Sequence, residues 1–336
     1  MMQMNDTLLS RIANLMNRDP LASMLRSSLT MILAGGQGDR LYPLTRDRTK
    51  PAVPLGGIYR IIDFTLSDCL NSNLRKIYIL TQYKSDSLNK HLRLGWGIFH
   101  EELGEYIVST PPQFRASNHW YKGTADAIFQ NIYTLQEERP EYVIILAGDN
   151  IYKMDYGQVL LFHPDNQADL TVAAVEVDLE SAKDFGVMSI DQDYRIVDFK
   201  EKPADPPPYP AKSDNALASM GIYIFNTDIL VRAVSEDARR DTAHDFGRDI
   251  IPQLIHTHRV FTHPFQDADQ RQQYWRDVGT IDSFWEANMD LISILCLRSI
   301  YMMRLGRYGP IRRHHHRPKR YLRINRTVGS ASYSNR

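Results

Sequence analysis

The chain has 336 residues, of which 43% are hydrophobic and 24% charged, and its forty basic and forty acidic residues give no net charge. This composition is that of a globular protein with ample apolar material for one large domain or two smaller ones. The two cysteines, Cys69 and Cys296, exclude a disulfide framework or a Cys-rich metal site, and no apolar run approaches the roughly 20 residues needed to cross a bilayer.

Residues 1–27 form an N-terminal extension without the uninterrupted apolar core of a secretory signal. Its apolar side chains recur at helical spacing, at Leu8, Leu9, Ile12, Leu15 and Met16. This pattern predicts a short amphipathic helix that packs on the body of the protein or on a partner. We therefore expect a cytoplasmic protein with no membrane association.

Short apolar or β-branched runs then alternate with segments of helical periodicity. The predicted strands are 29–34, 76–80, 142–147, 170–177, 186–190, 195–202 and 220–225. Runs without polar residues, such as "YVIILA", are typical of parallel strands that are covered on both faces. Strands that alternate with helices predict a doubly wound, mostly parallel α/β sheet.

Two helices are the clearest between these strands. One spans 124–137, with Ala125, Ile128 and Phe129 on its apolar face, and another begins at Asp155, which has capping-box spacing to Gln158. The four prolines of 204–216 cannot sit inside a ladder, so that stretch is expected to be a surface excursion.

The first predicted strand leads into a Gly-rich loop, "LAGGQGDRLYPLTRDRTKPAVPLGG". It fits neither common phosphate loop, because Leu41 stands where G-x-G-x-x-G needs its third glycine and Thr49 precedes Lys50 where a P-loop needs glycine. Glycines nevertheless let backbone N–H groups approach phosphate oxygens, and Arg40 and Lys50 would add positive charge. The alternative is a tight turn with solvated charges.

Further segments make this loop part of a recognisable series. They include "RIIDFTLSDCLNS", "WYKGTADAIFQN", "LAGDNIYKMDY", "FKEKP" and "YWRDVGTIDSFWEAN", and they follow one another over residues 28–295. In this order they resemble the sugar-phosphate nucleotidyltransferases, and within that family the bacterial ADP-glucose-forming enzymes. The resemblance implies a Rossmann-like catalytic domain over 28–296 that transfers adenylyl from ATP to glucose 1-phosphate, with Mg²⁺, for glycogen synthesis.

The same resemblance implies the site residues. The catalytic positions are Arg40, Lys50 and Asp149, and the Mg²⁺ ligands are Asp149 and Asp277. The nucleotide-binding positions are Gly35, Gly36, Gly38, Gln82, Gly123 and Thr124. The glucose 1-phosphate positions are Tyr121, Gly186, Glu201, Lys202 and Ser219. The residue types suit these roles, since lysine holds phosphate as a point charge and a carboxylate accepts hydrogen bonds from sugar hydroxyls.

Two acidic residues depart from the family pattern. Asp39 places a negative charge near the expected triphosphate, so we expect an effect on nucleotide affinity. Asp47 lies where some relatives place basic residues for phosphorylated activators, which leaves an activator site in question.

The last residues differ from the rest of the chain. All forty acidic residues precede Leu291, whereas eleven basic residues follow Leu297. The family continues with a hexapeptide-repeat β-helix used for assembly into homotetramers, and no such repeat is recognisable after residue 296. We expect 297–336 to be a disordered basic tail that results from a shifted reading frame, which would put the assembly in doubt.

Three other functions stay open at this stage. The first is another sugar nucleotidyltransferase that uses UTP, dTTP or GTP. The second is a catalytically impaired or regulatory subunit. The third makes the tail a nucleic-acid-binding arm, which the arginine density and Tyr301, Tyr308 and Tyr321 suggest, although out-of-frame sequence gives the same composition.

Overall fold

A computed structural model describes residues 19–113, 119–210, 212–267 and 269–291. The amphipathic positions predicted between Leu8 and Met16, and the predicted tail 297–336, lie outside the described residues. The first described helix follows Asp19, whose carboxylate accepts a hydrogen bond from the Ala22 N–H and so caps it. No helix in the described ranges has the length and apolarity that a membrane span requires.

The described strands are β1 Ser28–Ala34, β2 Pro54–Leu55, β3 Tyr59–Arg60, β4 Lys76–Thr81, β5 Tyr106–Thr110, β6 Tyr142–Ala147, β7 Asn150–Tyr152, β8 Leu170–Asp178, β9 Gly186–Ile190, β10 Ile196–Glu201, β11 Asn215–Asn226, β12 Val260–Pro264 and β13 Trp275–Asp277. The described α-helices are α1 Pro20–Arg26, α2 Ile62–Asn71, α3 Asp86–Gly95, α4 Thr124–Phe129, α5 Ile132–Glu138, α6 Tyr156–Asp165, α7 Leu179–Ala182, α8 Thr227–Asp237, α9 Ile251–Thr257 and α10 Ile281–Asp290. Short 3₁₀ turns cover Asp39–Leu41, Lys50–Ala52 and Glu101–Leu103, and a π-helical turn covers Phe246–Ile250.

Within the described ranges, nine strands form one sheet. Four of them, in the order β6-β1-β4-β5, are parallel. The long strand β11 pairs antiparallel with β6 and continues the sheet to β8 and β9, which pair in turn with β12 and β10. The sheet is mixed but mostly parallel in its centre, which confirms the predicted Rossmann-like α/β fold.

The central strands are mostly apolar and mostly buried because helices cover both faces of the sheet. Successive residues of β1 alternate between two cores, with Leu29 and Met31 in one and Ile32 and Ala34 in the other. Each fully buried Leu or Ile side chain contributes about 1.5–3 kcal/mol relative to an exposed one. The predicted apolar strands are therefore confirmed, and β11 extends further toward the N-terminus than the run 220–225 indicates.

The predicted single helix 124–137 is wrong, since the structure divides it into α4 and α5. The Asn131 side chain donates a hydrogen bond to the Ala127 carbonyl at 2.8 Å, the acceptor that the Asn131 backbone N–H would use in a continuous helix. That N–H bonds instead to Ile128, three residues back, and the helix is interrupted there.

A two-stranded pairing lies beside the main sheet and joins distant parts of the chain. Strand β13 runs antiparallel to β7, with Asp277 opposite Asn150. Because β7 starts three residues after β6 ends, this pairing carries Asp277 to the carboxyl edge of the parallel strands. Ligands of open α/β sheets bind at this edge.

Candidate active site

A cleft of about 590 Å³ opens at the carboxyl ends of β1, β4 and β6. All but two of the site residues expected from the sequence line it, namely Gly35, Gly36, Arg40, Lys50, Gln82, Tyr121, Gly123, Thr124, Asp149, Gly186, Glu201, Ser219 and Asp277. Gly38 and Lys202 are absent from the lining. The fold thus brings residues separated by more than 200 positions into one concave surface.

The Lys50 ammonium group lies between two carboxylates at the centre of this cleft. Its Nζ atom is 2.9 Å from Asp149 Oδ2 and 3.0 Å from Asp277 Oδ1. Burial alone lowers the pKa of Lys50, but the charges of the two carboxylates and their hydrogen bonds outweigh burial and raise it above the ordinary value. Lys50 therefore remains a cation at neutral pH although it is buried.

Hydrogen bonds hold the Lys50 turn against the end of β1. The Thr49 hydroxyl donates toward the carbonyl oxygens of Ala34 (3.2 Å) and Gly36 (3.1 Å). Gly38 adopts a left-handed φ of 70°, and a Cβ atom there would lie 3.0 Å from Lys50 Cβ, so Gly38 supports the lysine from behind. This packing accounts for its absence from the lining.

Gly36 and Arg40 present the accessible part of the Gly-rich loop. A Cβ atom on Gly36 would meet no heavy atom within 4 Å, so the backbone there faces open space. Arg40 lies in the 3₁₀ turn Asp39–Leu41 with its side chain exposed at the cleft. An exposed backbone and an adjacent guanidinium group suit a phosphate chain.

The two departures from the family pattern lie away from the lining. Asp39 is exposed and is not among the cleft residues. Asp47 pairs with its neighbour Arg46 at 3.0 Å, and both side chains are about two thirds exposed. Such an exposed ion pair contributes little to stability.

The two carboxylates at Lys50 fit a magnesium ion. Asp149 and Asp277 converge on one cation, and both are hard oxygen ligands. In the described ranges no cluster of three or more His, Cys, Asp or Glu side chains could hold a metal. Mg²⁺ takes one or two carboxylates and completes its shell with substrate oxygens and water, and the two aspartates would supply the carboxylates.

Gln82, which was expected to bind the nucleotide, forms a bridge within the protein. Its side-chain Oε1 accepts a hydrogen bond from the Tyr121 N–H at 2.7 Å, and its Nε2 donates to the Tyr121 carbonyl at 3.3 Å. Gln82 is buried, so its amide fixes the segment that carries Tyr121 to the end of β4. Burial raises the pKa of Tyr121 to about 12, and its phenol oxygen accepts from Asn131 at 2.9 Å.

Trp120, which precedes Tyr121 in the chain, lies at the surface. Its ring is half exposed and stacks on Tyr83, with 5.3 Å between the ring centroids and 10° between the planes. Tyr83 lines the cleft and Trp120 does not.

Gly123 and Thr124 begin α4 in close contact with residues 243–246. A Cβ atom on Gly123 would lie 2.3 Å from the carbonyl oxygens of both Ala243 and His244, so glycine is required there. The Thr124 hydroxyl donates to Asp245 Oδ2 at 2.9 Å and accepts from the Phe246 N–H at 3.0 Å.

The opposite wall is formed by β9, β10 and β11. Burial, together with the nearby charge of Asp245, raises the pKa of Glu201, against the opposing charges of Lys202 and Arg248. Lys202 has an exposed side chain that extends outside the cleft lining. Ser219 Oγ lies 3.4 Å from the Tyr223 hydroxyl and accepts from the Gly221 N–H at 3.3 Å.

Several lining residues were not singled out by the sequence analysis, notably Asp184, Tyr223, Asp245 and Trp275. Trp275 lies two residues before Asp277 in the quoted segment "YWRDVGTIDSFWEAN". Because residues i and i+2 of a strand lie on the same face, the sequence could have indicated that Trp275 shares the face of Asp277. Tyr223 reaches the cleft through the register of β11, and Asp245 lies there through its hydrogen bond with Thr124 at the start of α4. The local sequence reveals neither contact.

Comparisons with known proteins show the family of the chain. The profile of the family described as Nucleotidyl transferase matches residues 29–294. A protein of Rhodopirellula baltica named glucose-1-phosphate adenylyltransferase is 52% identical over 88% of this chain and 66% of its own length. Proteins of the same name from Vibrio vulnificus (number 2) and Methylococcus capsulatus are each 54% identical, over 84% and 81% of this chain and 71% and 64% of their own lengths. The chain thus spans about two thirds of the length of these relatives.

Proposed function

Because this chain belongs to the nucleotidyl transferase family, we propose that it transfers the adenylyl group of ATP to glucose 1-phosphate, forming ADP-glucose and releasing pyrophosphate. The observation that carries the proposal is the Lys50 ammonium group held by Asp149 and Asp277 beside the Gly-rich loop, at the carboxyl edge of the sheet. The relatives named glucose-1-phosphate adenylyltransferase, more than half identical, support the choice of substrates.

In this proposal the nucleotide occupies the half of the cleft formed after β1, β4 and β6. The backbone at Gly35 and Gly36 approaches the triphosphate, and Arg40 neutralises its charge. Thr124 and Gly123 form the wall beside the base. Gln82 supports the nucleotide site without contacting the nucleotide, because both ends of its side-chain amide form hydrogen bonds with the backbone of Tyr121.

Glucose 1-phosphate occupies the half formed by β9, β10 and β11. Glu201 and Ser219 offer acceptors for sugar hydroxyls, and Tyr121 closes the pocket between the two substrates. A Cβ atom on Gly186 would lie 2.6 Å from the Phe199 ring and 2.8 Å from Glu201 Oε2, so this glycine lets the Glu201 carboxyl group lie against the backbone of β9. Lys202 requires a side-chain movement into the cleft to reach the sugar phosphate, since it extends away from the lining here.

The reaction joins two polyanions, so charge neutralisation carries most of the catalysis. A phosphate oxygen of glucose 1-phosphate attacks the α-phosphorus of ATP, a new P–O bond forms, and the bond to pyrophosphate breaks with its electron pair. No covalent enzyme intermediate is needed. Lys50 supplies a positive charge at the α-phosphate and Arg40 at the leaving pyrophosphate.

Asp149 and Asp277 would hold the magnesium ion, whose charge, when bound, neutralises the phosphate oxygens. Two features of the chain itself hold these groups in place. The Thr49 hydroxyl anchors the Lys50 turn, and the pairing of β13 with β7 places Asp277 opposite Asn150, close to the end of β6. We further propose that the protein works in the cytoplasm, in glycogen synthesis, as a homo-oligomer.

A coupled assay for pyrophosphate release tests the proposal, with glucose 1-phosphate and either ATP, UTP, dTTP or GTP. We expect ATP to be used best and the activity to require Mg²⁺. Lys50→Gln and Asp149→Asn should each lower kcat by roughly 10²- to 10³-fold, as loss of a charge-stabilising group does. Lys183→Gln is the matched control, because Lys183 is a surface lysine paired with Glu180.

The control should keep wild-type activity. Full activity in both cleft variants would overturn the site assignment, and a preference for UTP, dTTP or GTP would overturn the adenylyl assignment.

A further inference from the structure

A buried Asp–His pair lies behind the cleft wall. His244 Nδ1 is 2.8 Å from Asp237 Oδ2, and both residues are almost completely buried. The Thr242 hydroxyl donates to Asp237 Oδ1 at 2.8 Å and lies 3.1 Å from the same histidine nitrogen. None of the three lines the cleft, so the proposed chemistry leaves the pair without a role.

The pair holds His244 in an unusual backbone conformation. His244 has a φ of 54°, in the left-handed region that is uncommon for residues other than glycine. Such a conformation persists where the surroundings impose it. Here the buried side chain is fixed by Asp237 and the backbone N–H by the Thr242 hydroxyl, at 3.2 Å.

This conformation aims the His244 carbonyl at the start of α4. The carbonyl oxygen accepts from the N–H groups of Ala125 (2.8 Å) and Asp126 (3.3 Å), two donors of the first helical turn. Gly123 packs against the same carbonyl. The backbone of His244 therefore fixes the wall assigned above to the nucleotide.

The residues that follow reach the other half of the cleft. Asp245 accepts from Thr124 and, through its other oxygen, from the Gly247 N–H at 2.9 Å. A Cβ atom on Gly247 would lie 2.4 Å from Glu201 Oε2, so this backbone packs directly against the Glu201 carboxyl group. Residues 242–247, here called the strap, thus touch both proposed substrate halves.

We propose that the Asp237–His244 pair is a positioning device: it locks the strap and so sets the distance between the Thr124 wall and Glu201. The pair acts through the backbone of His244 and through Asp245, and it touches neither substrate. The effect that we expect on KM rests on the proposed function, whereas the effect on the backbone of the strap and of the start of α4 does not.

Three variants separate positioning from general stability. His244→Ala removes the side chain that imposes the left-handed backbone. His244→Asn keeps a donor near the position of Nδ1 and tolerates positive φ. His163→Ala is the matched control, because His163 is equally buried, bonds Thr171 and Asn226, and lies outside the cleft lining.

The kinetic readout is the separation of KM from kcat. We expect His244→Ala to raise the KM for glucose 1-phosphate about tenfold, because a small displacement of a positioning group is costly. His244→Asn should restore it to within about threefold. His163→Ala should reduce only the amount of folded enzyme, which lowers kcat and leaves KM unchanged. An unchanged KM in His244→Ala would overturn the proposal.

Amide hydrogen exchange gives a readout that needs no activity. In His244→Ala the N–H groups of Ala125, Asp126 and Gly247 should exchange at least tenfold faster, while His244→Asn and His163→Ala keep the wild-type rates there. Equal exchange in His244→Ala and His163→Ala would overturn the proposal. If the wild-type protein makes no ADP-glucose, the proposed function fails. The exchange rates of the three N–H groups then test by themselves whether the Asp237–His244 pair locks the strap. Should His244→Ala not fold, Asp237→Asn takes its place in both measurements.

Discussion

Single side chains of this protein show how burial is offset by specific partners. Lys50 keeps its charge because two carboxylates contact its ammonium group. His163 is the opposite case, because its partners are the neutral Thr171 hydroxyl and Asn226 amide, at 2.8 and 3.3 Å. Burial lowers the pKa of His163 to about 4, although the hydrogen bond that its Nε2–H donates to Asn226 Oδ1 and the charge of Asp169 oppose this shift.

The lowered pKa of His163 makes folding stability depend on pH. Between about pH 6.5, where the unfolded histidine titrates, and about pH 4, the unfolded chain binds a proton that the folded protein does not. The free energy of unfolding therefore keeps the full contribution of neutral His163 above pH 6.5. It decreases as the pH drops toward 4, by about 3 kcal/mol in total.

Urea unfolding at pH 7.5 and pH 4.5 measures this loss. His163→Gln should make the free energy of unfolding less dependent on pH, whereas His100→Gln should not, because His100 is exposed. Identical pH dependence in wild type and His163→Gln would contradict the assignment.

Two glycines at the start of elements illustrate different constraints on the backbone. Gly36, after β1, faces open space, so an added methyl group would meet a ligand before it met the protein. Gly123, before α4, lies against two carbonyl oxygens, so a methyl group would displace the helix. Packing explains the second glycine, whereas the proposed function explains the first by the approach of a phosphate group.

Alanine substitution distinguishes the two constraints. Gly36→Ala should change the free energy of unfolding by less than about 0.5 kcal/mol, as for a surface substitution, and should raise the KM for ATP about tenfold. Gly123→Ala should destabilise the protein by about 2 kcal/mol or more, because the clash is with backbone. Chemical denaturation and steady-state kinetics check both. Loss of stability in Gly36→Ala with an unchanged KM would show that the loop serves packing alone.

At the scale of the whole molecule, one strand connects the two halves of the cleft. Strand β11 pairs with β6 over its last residues, with β9 earlier and with β8 in both parts. Its register with β8 shifts between Ser219 and Tyr223. Gly221, with a φ of 69°, lies inside that shift. The irregularity lies where the cleft lining crosses from the proposed nucleotide half to the proposed sugar half.

The sequence predicted the central fold because its strands are apolar on both faces. "YVIILA" has the apolar pattern of a covered strand, whereas the edge strand Tyr106–Thr110 was missed because its residues are partly buried or, at Val108, exposed. The quoted motifs located most of the cleft residues. The sequence did not reveal Asp245 or the Asp237–His244 pair, because their contacts depend on how α4 and α8 pack. The hydrogen bond between Asp245 and Thr124, for example, joins residues more than a hundred positions apart in the chain.

The arrangement around Lys50 has a practical consequence for handling the protein. Since the ammonium group already neutralises much of the repulsion between Asp149 and Asp277, the resting molecule carries its own counter-ion at 2.9 and 3.0 Å. Chelation with EDTA should therefore leave the melting temperature of the wild-type protein unchanged. In Lys50→Gln the two carboxylates lose that partner, and added Mg²⁺ should then raise the melting temperature. A lower melting temperature of the wild-type protein in EDTA would contradict this, because it would show that Lys50 does not take the place of a divalent ion in the protein without substrates.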